Sequence, residues 1–376
     1  MAPSPKSVWA EPEAAERLAR LRLIRTPRIG PVAYSHLLRR FGSAAAALAA
    51  LPDLARRGGG PVPALPPVES AQAEFGRIEQ LGARCLFRGE PGYPLLLDQV
   101  ENAPAMLTIK GDQKLLERKA IAIVGARNAS GAAIRFARML AHDLTGLGWL
   151  VVSGLARGID TAAHAGSIEG GTAAVIAGGI DIAYPPENGS LQRDIAERGL
   201  LIAEQPPGVE PRARHFPYRN RIIAGLAAGT VVVEAAPKSG SLITARLAAE
   251  FGREVMAVPG SPLDPRAQGC NLLIREGATL IQSAADVAEA LAPIGAVSAR
   301  APLPFHSSLP AADADADADD RARRAILDLL GPVPLPVDEL VRQGGVDTAA
   351  VQTVLLELEL AGRLERHAGG RVSLAA

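Results

Sequence analysis

Cysteine is almost missing from this sequence: Cys85 and Cys270 are its only two, far apart and outside any Cys-x-x-Cys or Cys/His cluster. That excludes a disulfide framework and offers no zinc site, so two reduced thiols and no metal are expected. Long apolar runs are missing as well. Hydrophobic residues make up 48% of the chain, yet no run reaches the roughly 18 residues of a membrane span, and the first ten or so contain no signal-peptide core. The expectation is a soluble, cytoplasmic protein with no membrane partner. Net charge is also absent, since 40 Lys and Arg balance 40 Asp and Glu. Balance excludes a uniformly basic coat, so any nucleic-acid site must be a local patch. Lysine is scarce beside arginine and alanine, a bias that reads as genomic base composition and carries no functional weight.

Several signatures of common chemistries are lacking too. No Gly-x-Gly-x-x-Gly turn, no Gly-x4-Gly-Lys-Ser/Thr loop and no Gly-x-Ser-x-Gly elbow occurs where a strand meets a helix. An acidic ribose partner about 20 residues beyond the first glycine turn is missing as well. Dinucleotide and ATP sites are therefore weakly supported, and no cofactor is expected.

What is present fits several domains, because 376 residues exceed the roughly 100 to 200 of a typical one. Residues 1–80 read as a helical head, in which Pro27-Arg28-Ile29-Gly30-Pro31 separates two short helices in the manner of a helix-hairpin-helix or sterile-alpha-motif-like module. Such hairpins can hold phosphates through backbone N–H groups, but Pro31 has none to give, so a structural or protein-contact role is preferred. A Gly58-Gly59-Gly60-Pro61 stretch reads as a linker. Over residues 81–295 short apolar strands alternate with helical segments, beginning with Ala120-Ile121-Ala122-Ile123-Val124 and continuing through Leu150-Val151-Val152, Ala173-Ala174-Val175-Ile176, Leu201-Ile202-Ala203, Thr230-Val231-Val232-Val233 and Glu254-Val255-Met256-Ala257-Val258. This pattern predicts an α/β, Rossmann-like doubly wound and mostly parallel sheet covered on both faces. Residues 296–320 alternate Asp with Ala around Asp313, Asp315, Asp317 and Asp319, which reads as an acidic flexible linker. Residues 321–376 give three helices and a Gly369-Gly370 hairpin, the order of a winged helix.

Glycine-rich turns follow successive strands: Gly125-Ala126-Arg127-Asn128, then Ser153-Gly154 through Arg157, then Gly178-Gly179. Such turns stand at the carboxyl ends of parallel strands, where open sheets place ligands, and each precedes a segment whose helix N-terminus favours an anion. Alone, Gly125 and Ser130 could equally be a turn and an N-cap. Ser153, Asp160 and His164 invite a hydrolase reading, but nothing brings them to one substrate atom, and no catalytic residue is assigned. The strongest charge signal is residues 211–221, with Arg212, Arg214, Arg219 and Arg221 beside His215, Phe216 and Tyr218. Arginines that neutralise phosphates beside aromatics that stack on bases are what single-strand binding uses. The alternative is a solvated basic helix start with the aromatics in the core. Lys238-Ser239-Gly240-Ser241 makes another anion-ready helix start, although Glu234 just before it would oppose a phosphate unless it orients an arginine.

Taken in order, Val124-Gly125-Ala126-Arg127, the Ser153-Gly154 turn through His164, His215-Phe216-Pro217 with Arg219-Asn220-Arg221, Ser239-Gly240-Ser241-Leu242-Ile243-Thr244-Ala245, Val258-Pro259-Gly260 and Gly269-Cys270-Asn271 resemble the DNA processing A (DprA, or Smf) family. The resemblance implies a non-catalytic, homodimeric protein of natural transformation that binds incoming single-stranded DNA and loads the RecA recombinase onto it. It implies DNA contact by Arg127 and a groove bordered by Arg219 and Arg221. The residues expected at the DNA are therefore Gly125, Ala126, Arg127 and Asn128; Ser153, Gly154 and Arg157; Gly178 and Gly179; Arg214, Arg219, Asn220 and Arg221; and Lys238, Ser239, Gly240 and Ser241. Two places depart from the pattern. Pro186 stands where some members carry lysine in the Tyr-Pro-x-x-Asn turn, leaving Arg193 as the nearest substitute, and the tail's third helix carries Glu357 and Glu359 with no basic residue, unlike a DNA reader. The tail is read as a protein-contact or autoregulatory module. The rivals are a nucleotide-cleaving Rossmann-like enzyme, whose Pro-Gly-Gly-x-Gly-Thr-x-x-Glu signature is absent, and a nucleotide sensor.

Overall fold

The computed structural model describes residues 12–296, 316–367 and 369–375. It divides into two compact units, one built from residues 74–300 and the other from residues 1–73 together with 301–376.

The first unit is organised on nine strands: β1 (Arg84–Phe87), β2 (Met106–Gly111), β3 (Ala120–Val124), β4 (Leu150–Ser153), β5 (Thr172–Gly179), β6 (Leu200–Gln205), β7 (Gly229–Val232), β8 (Glu254–Ala257) and β9 (Thr279–Leu280). Their order across the sheet is β1-β2-β6-β5-β4-β3-β7-β8-β9. Pairing is parallel from β6 through to β9, while β2 runs antiparallel to β6 and β1 antiparallel to β2. The expected mostly parallel sheet is thus present, with an antiparallel edge added. Why the strands read as continuous apolar runs follows from the twofold period of a strand. In β3, Ala120, Ala122 and Val124 join one buried cluster while Ile121 and Ile123 join the cluster on the opposite face. Val151 of β4 is split from Leu150 and Val152 in the same way. Helices Gly131–Gly146 and Ile159–Ser167 cover the second face, and helix His215–Leu226 helps cover the first. Cys85 and Cys270 are both buried and form no disulfide.

Strands β4 to β6 are laid down on one side of β3 and strands β7 to β9 on the other. The chain therefore switches direction between β3 and β7, the place where open α/β sheets normally bind ligands.

In the second unit, helices Pro12–Arg25, Pro31–Phe41 and Ala44–Arg57 form the head. The tail is a winged helix: helices Ala316–Leu329, Val337–Gly344 and Thr348–Leu360 with a three-stranded sheet of β10 (Leu335–Pro336), β12 (Arg371–Leu374) and β11 (Leu364–His367). Ile326, Leu340, Val354, Leu358 and Val372 give it a core of its own. Most of the acidic stretch read as a linker lies outside the described residues. Its last part differs from the expectation, because the helix already starts at Ala316. Alanine is the best helix former, so alternation with aspartate does not prevent a helix that packing further along can stabilise.

Candidate nucleic-acid interface

At the switch point the fold closes its own anion site. The Ala126 N–H donates to the Glu234 backbone carbonyl at 2.6 Å, and the Ser130 N–H donates to the Glu234 carboxylate at 2.8 Å. Ser130 Oγ in turn accepts from the Ala133 N–H at 3.1 Å, a normal N-cap. A carboxylate already sits on the helix start that could have held a phosphate, and its charge would repel one. Glycine at 125 has a packing reason as well: a Cβ there would stand 2.6 Å from Ile159 Cγ1 and 3.0 Å from the Glu234 carbonyl oxygen.

The open cleft lies one strand over, above the ends of β3, β4 and β5. Arg127, Gly154, Arg157, Tyr184, Phe216 and Arg219 line it. Arg127 is exposed, and its guanidinium carbon lies 5.2 Å from the centre of the Phe216 ring. That ring is tilted against Tyr184 at 5.6 Å between centroids. Cation and rings so form one continuous ledge, within the distances at which cation–π and aromatic contacts stabilise. Arg157 reaches the Glu187 carboxylate at 3.5 Å, but both side chains are more than half exposed, so the pair is worth little and a phosphate can compete for the arginine. Arg212 and Arg214, just before the helix that carries Phe216, are exposed, and Tyr218 is 60% exposed.

Beneath the ledge two buried charged side chains are held by the backbone. Arg219 is buried, and its Nη1 donates to the Val175 carbonyl at 2.7 Å and to the Gly154 carbonyl. Asp160 accepts from the Ala156 N–H at 3.3 Å. Burial pushes these two charges in opposite directions, lowering Arg219 to about 10 and raising Asp160, and each opposes the other's shift. Arg219 remains a cation at neutral pH. Asn188 of the Tyr-Pro-x-x-Asn turn ties the third turn to the second, since its Nδ2 donates to Leu155 O and Thr161 Oγ1, both at 2.9 Å.

The nominated residues therefore separate. Arg127, Gly154, Arg157 and Arg219 meet in the cleft. Asn128 is exposed beside Arg127, and Lys238 is exposed in the turn before helix Gly240–Glu250, outside the cleft lining. Ser239 is an N-cap whose Oγ lies 2.8 Å from Ser241 Oγ, and Asn220 Nδ2 donates to Gly240 O at 3.3 Å. Gly178 and Gly179 pack against the segment after β6, where a Cβ would lie 2.9 Å from Val209 O and 2.4 Å from Pro206 O respectively. Asp181 pins that segment by accepting from the Gly208 N–H and Arg77 Nη2, both at 2.7 Å; burial would raise its carboxyl, but these bonds hold it below the usual range. Arg221 is buried and paired with Glu204. Ser153 Oγ donates to Ile123 O at 2.7 Å, and His164 bonds Thr172 Oγ1 at 2.7 Å in a site whose burial lowers the imidazole to about 3. Ser153 also helps hold the Asp160 carboxyl down, but His164 bonds Thr172, so the three form no relay. Tyr184 and Asn188 were missed as site residues, although the tyrosine and asparagine of that turn were the available signal.

The winged helix does not offer its third helix to a ligand. Glu357 on helix Thr348–Leu360 is 1% exposed and ion-paired with Arg323, with Arg57 of the head 4.0 Å away. Arg40 Nη1 donates to Thr353 Oγ1 at 3.0 Å and Arg28 Nη1 to Leu360 O at 3.2 Å. A Cβ on Gly58 would come within 2.0 Å of the Glu357 carbonyl oxygen, so the glycine stretch read as a linker is where head and tail touch.

Comparison with known proteins agrees with this anatomy. Residues 84–292 match the family described as DNA recombination-mediator protein A, residues 14–76 the DprA-like N-terminal HHH domain, and residues 310–370 the DprA winged helix domain. The DNA processing protein DprA of Bacillus subtilis is 48% identical over 202 residues, 53% of this chain and 68% of that protein. The crystal structure of DNA processing protein A from Streptococcus pneumoniae superposes with a TM-score of 0.61 at 31% identity, covering 77% of this chain and 98% of that one. A Helicobacter pylori DNA processing protein A, described for its single-stranded DNA binding mode, superposes at 0.52 with 28% identity, covering 56% of this chain and 96% of its own.

Proposed function

The chain belongs to the DNA recombination-mediator protein A family, and from that premise we propose that it binds single-stranded DNA in the cleft above β3, β4 and β5, without reading sequence. The observation that carries this is the Arg127–Phe216–Tyr184 ledge. A flat aromatic surface accepts any base, while exposed Arg127, Arg157, Arg212 and Arg214 meet the backbone. A duplex keeps its bases stacked on each other and cannot lay one on Phe216. The role extends to loading RecA on the bound strand during natural transformation, as a homodimer in the cytoplasm; the likeness to named DNA processing proteins supports that extension.

The test is fluorescence anisotropy of labelled oligo-dT at several salt concentrations, with duplex DNA and mononucleotides as competitors. Tight, salt-sensitive binding that neither competitor displaces is expected. Displacement by a mononucleotide would transfer the cleft to a small ligand, and absence of binding would remove the proposal.

A further inference from the structure

Among the arginines near the cleft, Arg219 alone is both a lining residue and buried, at 6% exposure. One nitrogen of its head, Nη1, joins two neighbouring strands, bonding Gly154 O just after β4 and Val175 O within β5. Room for it is made by the chain: a Cβ on Gly154 would lie 1.9 Å from Nη1 and 2.5 Å from the guanidinium carbon. Asp160, equally buried, lies near enough for each group to oppose the other's shift, and it holds the same turn through the Ala156 N–H. Arg127, by contrast, is exposed above the ring of Phe216. Both Arg219 and Phe216 lie on helix His215–Leu226, one turn apart, so whatever fixes Arg219 also fixes the ring.

We infer that Arg219 is a positioning residue: it acts as a strut that sets the spacing between the Gly154 turn, β5 and the Phe216 ring, and it does not itself engage a phosphate. This deepens the single-strand reading and rests on it. Lysine keeps the charge but lacks the rigid planar head that seats Nη1 between the two carbonyls, so it reproduces the strut only in part. An alanine methyl at 154 would push the guanidinium out of its seat, so Gly154→Ala reproduces the defect from the other side.

The test compares Arg219→Met, Arg219→Lys, Gly154→Ala and the Gly154→Ala/Arg219→Lys pair in the full chain, using oligo-dT affinity against salt. Orienting partners of this kind are worth about tenfold or more in affinity. Arg219→Met is expected to bind about tenfold more weakly with the wild-type salt slope, and Arg219→Lys to recover part of the loss. The Gly154→Ala/Arg219→Lys pair should be no weaker than the worse single variant, because both remove one strut. If Arg219→Met strands Asp160 and fails to fold, Arg219→Lys gives the same comparison. A shallower slope, or wild-type affinity, overturns the inference. Amide exchange in the free protein separates the two layers: faster exchange confined to residues 154–157 in Arg219→Lys is expected even if oligo-dT proves not to be the ligand, and unchanged exchange there overturns the strut on its own.

Discussion

The cleft above β3 to β5 and the third helix of the winged tail both carry charge, and they use it in opposite ways. Arg127 and Arg157 keep their guanidinium groups at the surface of the cleft, while Glu357 is buried beneath Arg323 and beside Arg57. An exposed cation loses little by waiting in water for a phosphate. A buried carboxylate has lost its water and depends on the partners that surround it. The proposed binding residues therefore differ from the structural ones in exposure, with residue type secondary. Arg219 and Arg221 lie two positions apart from each other, in the same basic stretch as exposed Arg214, and fall on the building side.

Breaking the contrast at the tail should give the largest effect. Arg323→Ala leaves Glu357 without its main countercharge, and about 3 to 5 kcal/mol of stability should disappear in urea unfolding, with oligo-dT affinity unchanged. Replacing both partners, as Arg323→Met with Glu357→Leu, should restore most of it. A loss of DNA affinity in the single variant would show that the acidic helix belongs to the binding surface after all. Next in size is Phe216→Ala, for which removal of a stacking surface predicts about 1 to 3 kcal/mol weaker oligo-dT binding by anisotropy, with Phe216→Trp close to wild type.

A third effect reaches both regions. Burial, with help from Arg39 and Arg366, lowers His36 of the head to about 4, and burial, with help from Arg219, lowers His164 under the cleft to about 3. Unfolded histidine takes a proton below about 6.5, so between that value and 4 the unfolded chain holds more protons and stability falls as pH falls, by about 1.4 kcal/mol per pH unit for each group. Urea midpoints at pH 7.5, 6 and 5 should show this, and His36→Gln should make the slope shallower. The smallest effect is at Arg127→Ala, which should weaken binding to every sequence alike and make the salt slope shallower by about 0.7.

Much of the fold could be read from residues. The strands from β3 to β8 announce themselves as apolar runs because both faces of a covered parallel sheet are buried, and helix Thr348–Leu360 lies where its pattern placed it. Strands β1 and β2 went unread, since their place is set by pairing with β6, some ninety residues from β2 along the chain. Of the cleft, the turns and Arg127 were legible from glycine and charge at strand ends. Burial was not: Arg219 and Arg221 are the same residue type as Arg127, and only packing shows which carbonyl or carboxylate each one meets. From the sequence Glu234 either opposes a phosphate or orients an arginine; its carboxylate instead accepts from the Ser130 backbone N–H, a partner that the fold alone brings to it.

The central claim is that the strand lies on the Arg127–Phe216 ledge and leaves the winged helix untouched. Ultraviolet cross-linking of oligo-dT to the full chain, followed by peptide mapping, tests it most directly. Cross-links are expected on Phe216 and Tyr184; if they fall instead on helix Thr348–Leu360 and are lost in Glu357→Leu, the cleft is not the site.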